Sequence, residues 1–528
     1  MTTRAQALRN TLFSSVGIYT EYFLGMIVSI VIARHLGPND FGTYSLVVWL
    51  VACGVTATNA GTTTTMIKFI AEVRGGGRED LLHPLIAYLR RAQAMFLGVV
   101  LLLGSAAFLL GGSELAPEFN HWILCALLVF AVSLRAPYML NIAVAKGFEQ
   151  FGATAIIALV ITPLNLGMIL AAWLLQAPIE IFLGIFAVSS VLFYAVSRWQ
   201  VHGLMPAITV HGKLPAELMR RVHRHMRFVA VISTVGFFTA SETEVLFLNL
   251  LDTPAAAGQF KVAYQLATGA SLLLPGVFSA VLLPMMARAF SEGKAVAARR
   301  FVASTTYLAL LAAPLIGFGV VFSDATIAVL YGKAYQAAGI VLAACLFASA
   351  VTVVSNAATS LLVSADQQQS VLARVVGCGV LKIVLDILLV GRYGLLGATA
   401  AYLSVSIIGA AVTILLALRV SESRLQGARL LRIGIAIILA SLIVLPLRAL
   451  DAPLAAMLAG GAALGMAYAV LTLLLGCWTE SDIEYLLALH KNVLRGRPAA
   501  LGAFLRWIRM REPGNLPIVP PEKPGRPS

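Results

Sequence analysis

The sequence predicts an all-α integral membrane protein of about fourteen transmembrane helices, arranged as two pseudo-repeated six-helix lobes followed by two further helices. Three observations carry that prediction. Hydrophobic residues make up 59% of the 528 positions and charged residues only 12%, with a mean hydropathy of +0.89. A soluble chain cannot bury that much hydrocarbon, whereas a bilayer solvates it. Apolar runs of about 20 residues, the length that crosses the hydrocarbon core, recur from end to end. Finally, one stretch occurs twice. Leu36-Gly37-Pro38-Asn39-Asp40-Phe41-Gly42 closes one apolar run and opens the next, and Asp252-Thr253-Pro254-Ala255-Ala256-Ala257-Gly258 repeats the Pro-x3-Gly turn 216 positions later. The helices that follow end alike, on Lys68-Phe69-Ile70-Ala71-Glu72 and on Arg288-Ala289-Phe290-Ser291-Glu292. Internal duplication of this kind is how many transporters are built.

The expected spans are 11–34, 41–66, 93–112, 121–143, 154–175 and 179–199 in the first lobe (1–200). A basic linker (201–227) leads to 228–251, 258–286, 301–322, 336–363, 371–390 and 395–418 in the second lobe (228–419). Spans 431–450 and 454–478 complete the bundle (420–478), before a cytoplasmic amphipathic and proline-rich tail (479–528). The long second, eighth and tenth runs contain Thr, Gly or Pro and are expected to bend. Arg4 and Arg9 precede the first run as in a signal peptide, but the run is long, holds Glu21 and lacks a small-residue cleavage site, so it reads as a retained span. Lys and Arg fall on alternate loops: 31 of the 38 lie on one side, five on the other, and Arg135 and Lys382 lie within spans. The positive-inside rule then puts both termini in the cytoplasm, which an even number of crossings satisfies. In the linker, Arg220-Arg221-Val222-His223-Arg224-His225 reads as an amphipathic segment on anionic headgroups. Ser481-Asp482-Ile483-Glu484 reads as a capping box that opens a helix on the inner leaflet.

The net charge of +14 does not imply nucleic acid, because the charge is distributed by membrane topology. Cys53, Cys125, Cys345, Cys378 and Cys477 stand singly in apolar runs, as small core residues do. The patterns GxxxxGK[ST], GxSxG and HExxH are absent, so the sequence supports neither an ATP motor nor a hydrolase. Gly75-Gly76-Gly77 reads as a flexible turn. No enzyme, cofactor or metal site is expected.

The segment Ala33-Arg34-x-Leu36-Gly37-Pro38-x-x-Phe41-Gly42-x-Tyr44-Ser45-Leu46, with Gly61 through Ile67-Lys68-Phe69-Ile70-Ala71-Glu72, resembles the N-terminal signature of polysaccharide transporters of the O-antigen flippase type. These belong to the multidrug/oligosaccharidyl-lipid/polysaccharide exporter superfamily. Leu282-Leu283-Pro284 with Arg288, and Tyr393-Gly394-Leu395-x-Gly397-Ala398-x-x-Ala401, resemble the matching points of the second half. The resemblance implies two lobes around a central cavity and alternating access by rocking. It also implies an undecaprenyl-diphosphate-linked oligosaccharide as cargo, in the cytoplasmic (inner) membrane, with membrane lipids, a polysaccharide polymerase and glycosyltransferases as partners. Related lipid II flippases carry arginines in the first helix, where this chain has Glu21.

A diphosphate crossing a low-dielectric region needs cations in a wet cavity. Arg135, two residues before Pro137, can offer its fork of donors to phosphate, or serve as a structural partner. Lys382 can do the same, or be neutralised by Asp386 one turn away. Either is a candidate for holding diphosphate, and loss of Arg135 is expected to stop export. Glu21, Glu242, Glu244 and Asp386 are candidates for coupling H+ or Na+, Glu21 first because it lies near mid-membrane. Glu242 and Glu244, two apart, cannot share one helix face. Arg34 and Lys261 are gate candidates, or snorkel to the outer headgroups. A cation-coupled exporter of drugs or small solutes is the alternative from the same superfamily, and a non-transporting scaffold is a third reading. The scaffold is distinguished by the lack of a hydrated chamber.

Overall fold

Gly37 and Gly394 decide how the long apolar runs turn back. In the computed structural model both have positive φ inside continuous helical assignments, 74° at Gly37 and 54° at Gly394. A side chain is strained there. At Gly394 it would also meet Asp252, whose Oδ2 lies 2.4 Å from where a Cβ would sit. Pro38 directly follows Gly37, with φ preset for a first helical turn and no N–H to satisfy. Pro254 opens a helix in the same way at the matching point of the second copy.

The structure describes residues 4–111, 119–150, 152–204, 214–240, 242–273, 276–450, 452–479, 482–484, 487, 488, 503 and 506. Side chains are described from residue 19, except 21, 153, 154, 240, 273 and 276–281. Among the described residues regular structure is helical. The first half contains α1 (Arg4–Asn59, two legs meeting at Gly37), α2 (Thr62–Gly75), α3 (Leu82–Gly111), α4 (His121–Gly147), α5 (Gly152–Leu174) and α6 (Ile179–His202). Next come α7 (Ala216–Ala240), α8 (Thr243–Leu251), α9 (Pro254–Leu273), α10 (Gly276–Glu292), α11 (Lys294–Leu330) and α12 (Ala338–Ser364). The chain ends in α13 (Gln368–Ser421, two legs meeting at Gly394), α14 (Gly427–Val444) and α15 (Pro453–Leu474). Ten of these helices are long and apolar enough to cross a membrane, or eleven if α7 and α8, bent by 55°, form one span. A straight helix of the 54 residues of α13 would be about 80 Å long against about 30 Å of hydrocarbon. Its two legs therefore fold back on each other.

The expected spans differ from the helices in several places, among them the seventh, which breaks between α7 and α8. The second run breaks between Asn59 and Thr62, where Gly61 (φ 79°) packs against the Met226 carbonyl of α7. In the eighth run, residues 274 and 275 between α9 and α10 lie outside the described residues, and the tenth run is the unbroken α12. Residues 216–227, expected in the linker, form the first turns of α7. There Val222 and Met226 are buried against α2 and α3, Arg221 pairs with Glu72 at 2.8 Å, and the Tyr88 hydroxyl bonds the His223 ring at 2.8 Å. In the expected capping box, Ser481 lies outside the described residues. At this end Thr479 makes a cap with Asp482, its N–H donating to the Asp482 carboxylate at 2.8 Å. Tyr307 of α11 also donates to Asp482, at 2.6 Å, tying the tail to the bundle. At the same end Lys294 donates to Glu422 at 2.6 Å, and that hydrogen bond holds the exposed carboxyl below its ordinary range.

The two copies of the repeated turn touch each other. A Cβ on Gly42 would lie 1.7 Å from the Pro254 carbonyl oxygen, and one on Gly258 would lie 2.2 Å from the Pro38 carbonyl oxygen. Each glycine thus seats the start of the other copy's helix. The largest core cluster surrounds this seam, with Ile32, Ala33 and Phe41 of α1 against Ala257, Phe260 and Ala263 of α9. Tyr335 donates to the Ala33 carbonyl at 2.8 Å beside it. G42A and G258A are each expected to destabilise the protein by about 1–3 kcal/mol, since both over-pack a filled contact. G98A, in a helix with open space around it, should leave the melting temperature in detergent unchanged or slightly raised. Equal melting temperatures for all three would mean that the seam contributes no stability.

Candidate functional site

A cavity of about 830 Å³ lies between the first leg of α1 and helices α9, α11 and α12. Tyr19, Tyr22 and Phe23 line it from α1, Tyr264 from α9 and Phe318 from α11. Its lining is largely aromatic and aliphatic, and two of its residues, Lys261 and Glu242, bear charge. Lys261 lies seven residues past Pro254, about 10 Å along α9. It does not snorkel outward. Its Nζ donates to Glu242, and the two side chains are 18% and 23% exposed. Glu242 occupies the cap position of α8 with non-helical angles and makes no side-chain cap. The break between α7 and α8 therefore frees its carboxylate to face α9.

Glu244, two residues on, points the other way. It is fully buried, 3.1 Å from Lys382 Nζ of α13, which is itself 1% exposed. Lys382 Nζ also lies 5.9 Å from the ring centroid of Tyr402. Asp386, one turn beyond Lys382, is fully buried, and neither of its oxygens has a hydrogen-bond partner among the described residues. Lys382 thus pairs across helices with Glu244, and Asp386 of its own helix lies beside that pair. An ammonium this deep would otherwise face a desolvation penalty of several kcal/mol. Neither Lys382 nor Asp386 lines the cavity.

Arg135 also lies off the cavity. It is held along one face of α6, donating from Nε to Ser190 Oγ at 2.8 Å and from Nη2 to Ser189 Oγ at 3.1 Å. Its guanidinium stacks 4.1 Å from the Phe186 centroid. Ser189 and Ser190 both donate to the Phe186 carbonyl, which leaves their oxygen lone pairs for Arg135. The two serines and both rings, Phe186 and Phe193, recur at helical spacing, so α6 carries a ready-made groove for a guanidinium. Nearby, Gln93 donates to Asn59 at 2.6 Å and to the Ala136 carbonyl at 2.8 Å, and Asn141 donates to Ser197 at 3.1 Å. Amides, hydroxyls and guanidinium groups thus make up the polar network of the first half, Arg90 also donating to Asn141 at 3.4 Å, and the second half carries the buried Glu244, Asp386 and Lys382.

Arg34 is exposed and donates to the Val329 carbonyl at 3.4 Å beside the seam. The Glu21 side chain lies outside the described residues. Lys261 and the tyrosines are the chamber residues that sequence reasoning did not single out as cargo-binding. A signal was available: Lys261 takes the place of Ser45 in the repeat, a charge where the other copy has a small hydroxyl.

Fold and site together define a multi-pass helical membrane protein with an internal chamber, the class to which transporters belong. Residues 7–290, more than half of the chain, match the family model described as polysaccharide biosynthesis protein, and the chain belongs to that family. Among solved structures it is similar to the lipid II flippase MurJ in an inward closed conformation, at TM-score 0.69 and 12% identity over 87% of this chain and 98% of that one. It is also similar to an inward-facing multidrug resistance MATE transporter of the MOP superfamily, at TM-score 0.61 and 12% identity over 78% of this chain and 98% of the other. A Vibrio cholerae MATE transporter, VcmN, follows at TM-score 0.54 and 13% identity, over 79% and 96%. No curated protein matches the chain in sequence.

K382M is expected to cost about 3–5 kcal/mol of stability, because it strands the Glu244 carboxylate in the core. The double variant K382M/E244Q should recover most of that loss in thermal unfolding. A double variant no more stable than K382M would show that the pair is not the source of the cost.

Proposed function

We propose that the protein is a flippase for an undecaprenyl-diphosphate-linked oligosaccharide, the repeat unit of an O-antigen, capsule or exopolysaccharide. The observation that carries this reading is the chamber itself, in which the paired Lys261 and Glu242 are the charged groups among the described residues of a largely aromatic and aliphatic wall. The chemistry suits a cargo with an anionic headgroup, sugars that stack on aromatic rings, and a hydrocarbon tail. Membership of a polysaccharide biosynthesis family points to the same cargo class.

In this reading each leg of α1 and α13 is one crossing, and α7 with α8 and α9 with α10 are one each. That gives fourteen, in two six-helix lobes with α14 and α15 added. The basic end faces the cytoplasm with both termini, in the cytoplasmic membrane. The glycine seam then closes the chamber on the far side, and rocking of the lobes opens it there. Lys261 takes the role of holding diphosphate that the sequence had suggested for Arg135 and Lys382, since those two are engaged in buried contacts. The Glu244–Lys382–Asp386 group is the candidate coupling site for H+ or Na+. Glycosyltransferases supply the cargo on the cytoplasmic face and a polysaccharide polymerase consumes it on the other.

K261M is expected to abolish surface polysaccharide and accumulate the lipid-linked precursor, with membrane levels of the protein unchanged. Immunoblotting and glycan staining of the complemented deletion strain measure both. Normal polysaccharide in that strain would remove Lys261 from the route, and altered tolerance of cationic drugs without a glycan defect would favour a small-solute exporter.

A further inference from the structure

We infer that Glu242 is a built-in competitor for the cargo's phosphate: it holds Lys261 while the chamber is empty and recaptures it when the cargo leaves. The inference rests on the flippase reading and adds a control to the same site.

Three features support it. Lys261 and Glu242 are partnered across the chamber wall rather than within the core, so a ligand in the chamber reaches both. By contrast, the Glu244–Lys382 pair on the other side of α8 is sealed, at 0% and 2% side-chain exposure. Glu242 also sits at a helix break, where its carbonyl accepts from Val245 while its side chain makes no cap. Its carboxylate meets Lys261 instead, so it can swing away without unwinding a turn. Finally, the charge balance favours exchange over addition. Lys261 is neutral in sum with Glu242, and a diphosphate bound beside an intact pair would meet a carboxylate as well as an ammonium. At low effective dielectric that repulsion is worth several kcal/mol at contact distance. The phosphate therefore binds by displacing the carboxylate, one charge-assisted contact replacing another.

The consequence is a trade between affinity and turnover. A site whose ammonium is free only part of the time binds more weakly by that fraction. Such a site also releases more readily, because Glu242 recovers Lys261 as the phosphate departs. E242Q keeps the shape of the side chain and removes its charge. Binding of farnesyl diphosphate or undecaprenyl diphosphate to the purified protein in detergent should then tighten about tenfold or more, given the usual worth of a hydrogen bond to a charged group. Glycan export in cells should fall, and E242D, which keeps the carboxylate, should stay near the wild type in both assays.

A second measurement uses the wild-type chain. Labelling of Glu242 by a water-soluble carbodiimide, read by peptide mass spectrometry, should rise when either diphosphate lipid is added and stay unchanged with farnesol. If K261M loses binding while E242Q binds no tighter than wild type, and labelling of Glu242 is insensitive to ligand, the competitor role is wrong and the flippase reading stands. If neither lipid binds the wild type and K261M exports normally, the flippase reading falls and the competitor role with it.

Discussion

A contact between two glycines and two proline carbonyls sets how the first half of the molecule meets the second. Gly42 and Gly258 occupy the same position in two copies of one turn, and each fits against the backbone that opens the other copy's helix. Backbones can approach this closely only where no side chain intervenes, and such small-residue contacts are a main source of helix association in lipid, where the hydrophobic effect between helices is weak. The seam brings α1 against α9 and gathers the largest core cluster around it. Away from the seam the first leg of α1 stays against α9, Ser29 donating to Gln265 at 2.7 Å and Met26 lying beside Gly269, and the chamber opens next to that contact toward α11 and α12.

The second organising constraint is the cost of charge in hydrocarbon. The protein meets it differently in its two halves. In the first, Arg135 is spread over two hydroxyls and an aromatic face, beside neutral amides such as Gln93 and Asn59 that bond each other. In the second, opposite charges are brought together across helices, Glu244 with Lys382 in the core and Glu242 with Lys261 at the chamber wall. Both acids belong to the start of α8. That nine-residue helix stands between a sealed ion pair and an accessible one, and the break before it turns the two carboxylates to opposite sides. A short element anchored on one side and exchangeable on the other is well placed to relate occupancy of the chamber to the packing of α8 against α13.

The sequence by itself determined the class of the protein. A bilayer requires long apolar runs, and these announce themselves by composition alone. The repeated Pro-x3-Gly turn is legible because a helix start after a reversal needs those residues. The sequence also located the intramembrane charges, since a Lys or Glu in such a run stands out. It could not say which charges meet. Lys382 and Asp386 look paired because they are one turn apart on one helix, yet Lys382 is joined to Glu244, 138 positions earlier, because the packing of α8 on α13 brings them to 3.1 Å. Arg135 reads as either a phosphate ligand or a structural partner because its serine partners carry no charge and lie on another helix. Lys261 looks like a headgroup anchor because its distance from Pro254 measures depth and not direction. Direction is a property of neighbouring helices, and only the tertiary structure, through the glycine seam and the break before α8, decided which side chains face the chamber.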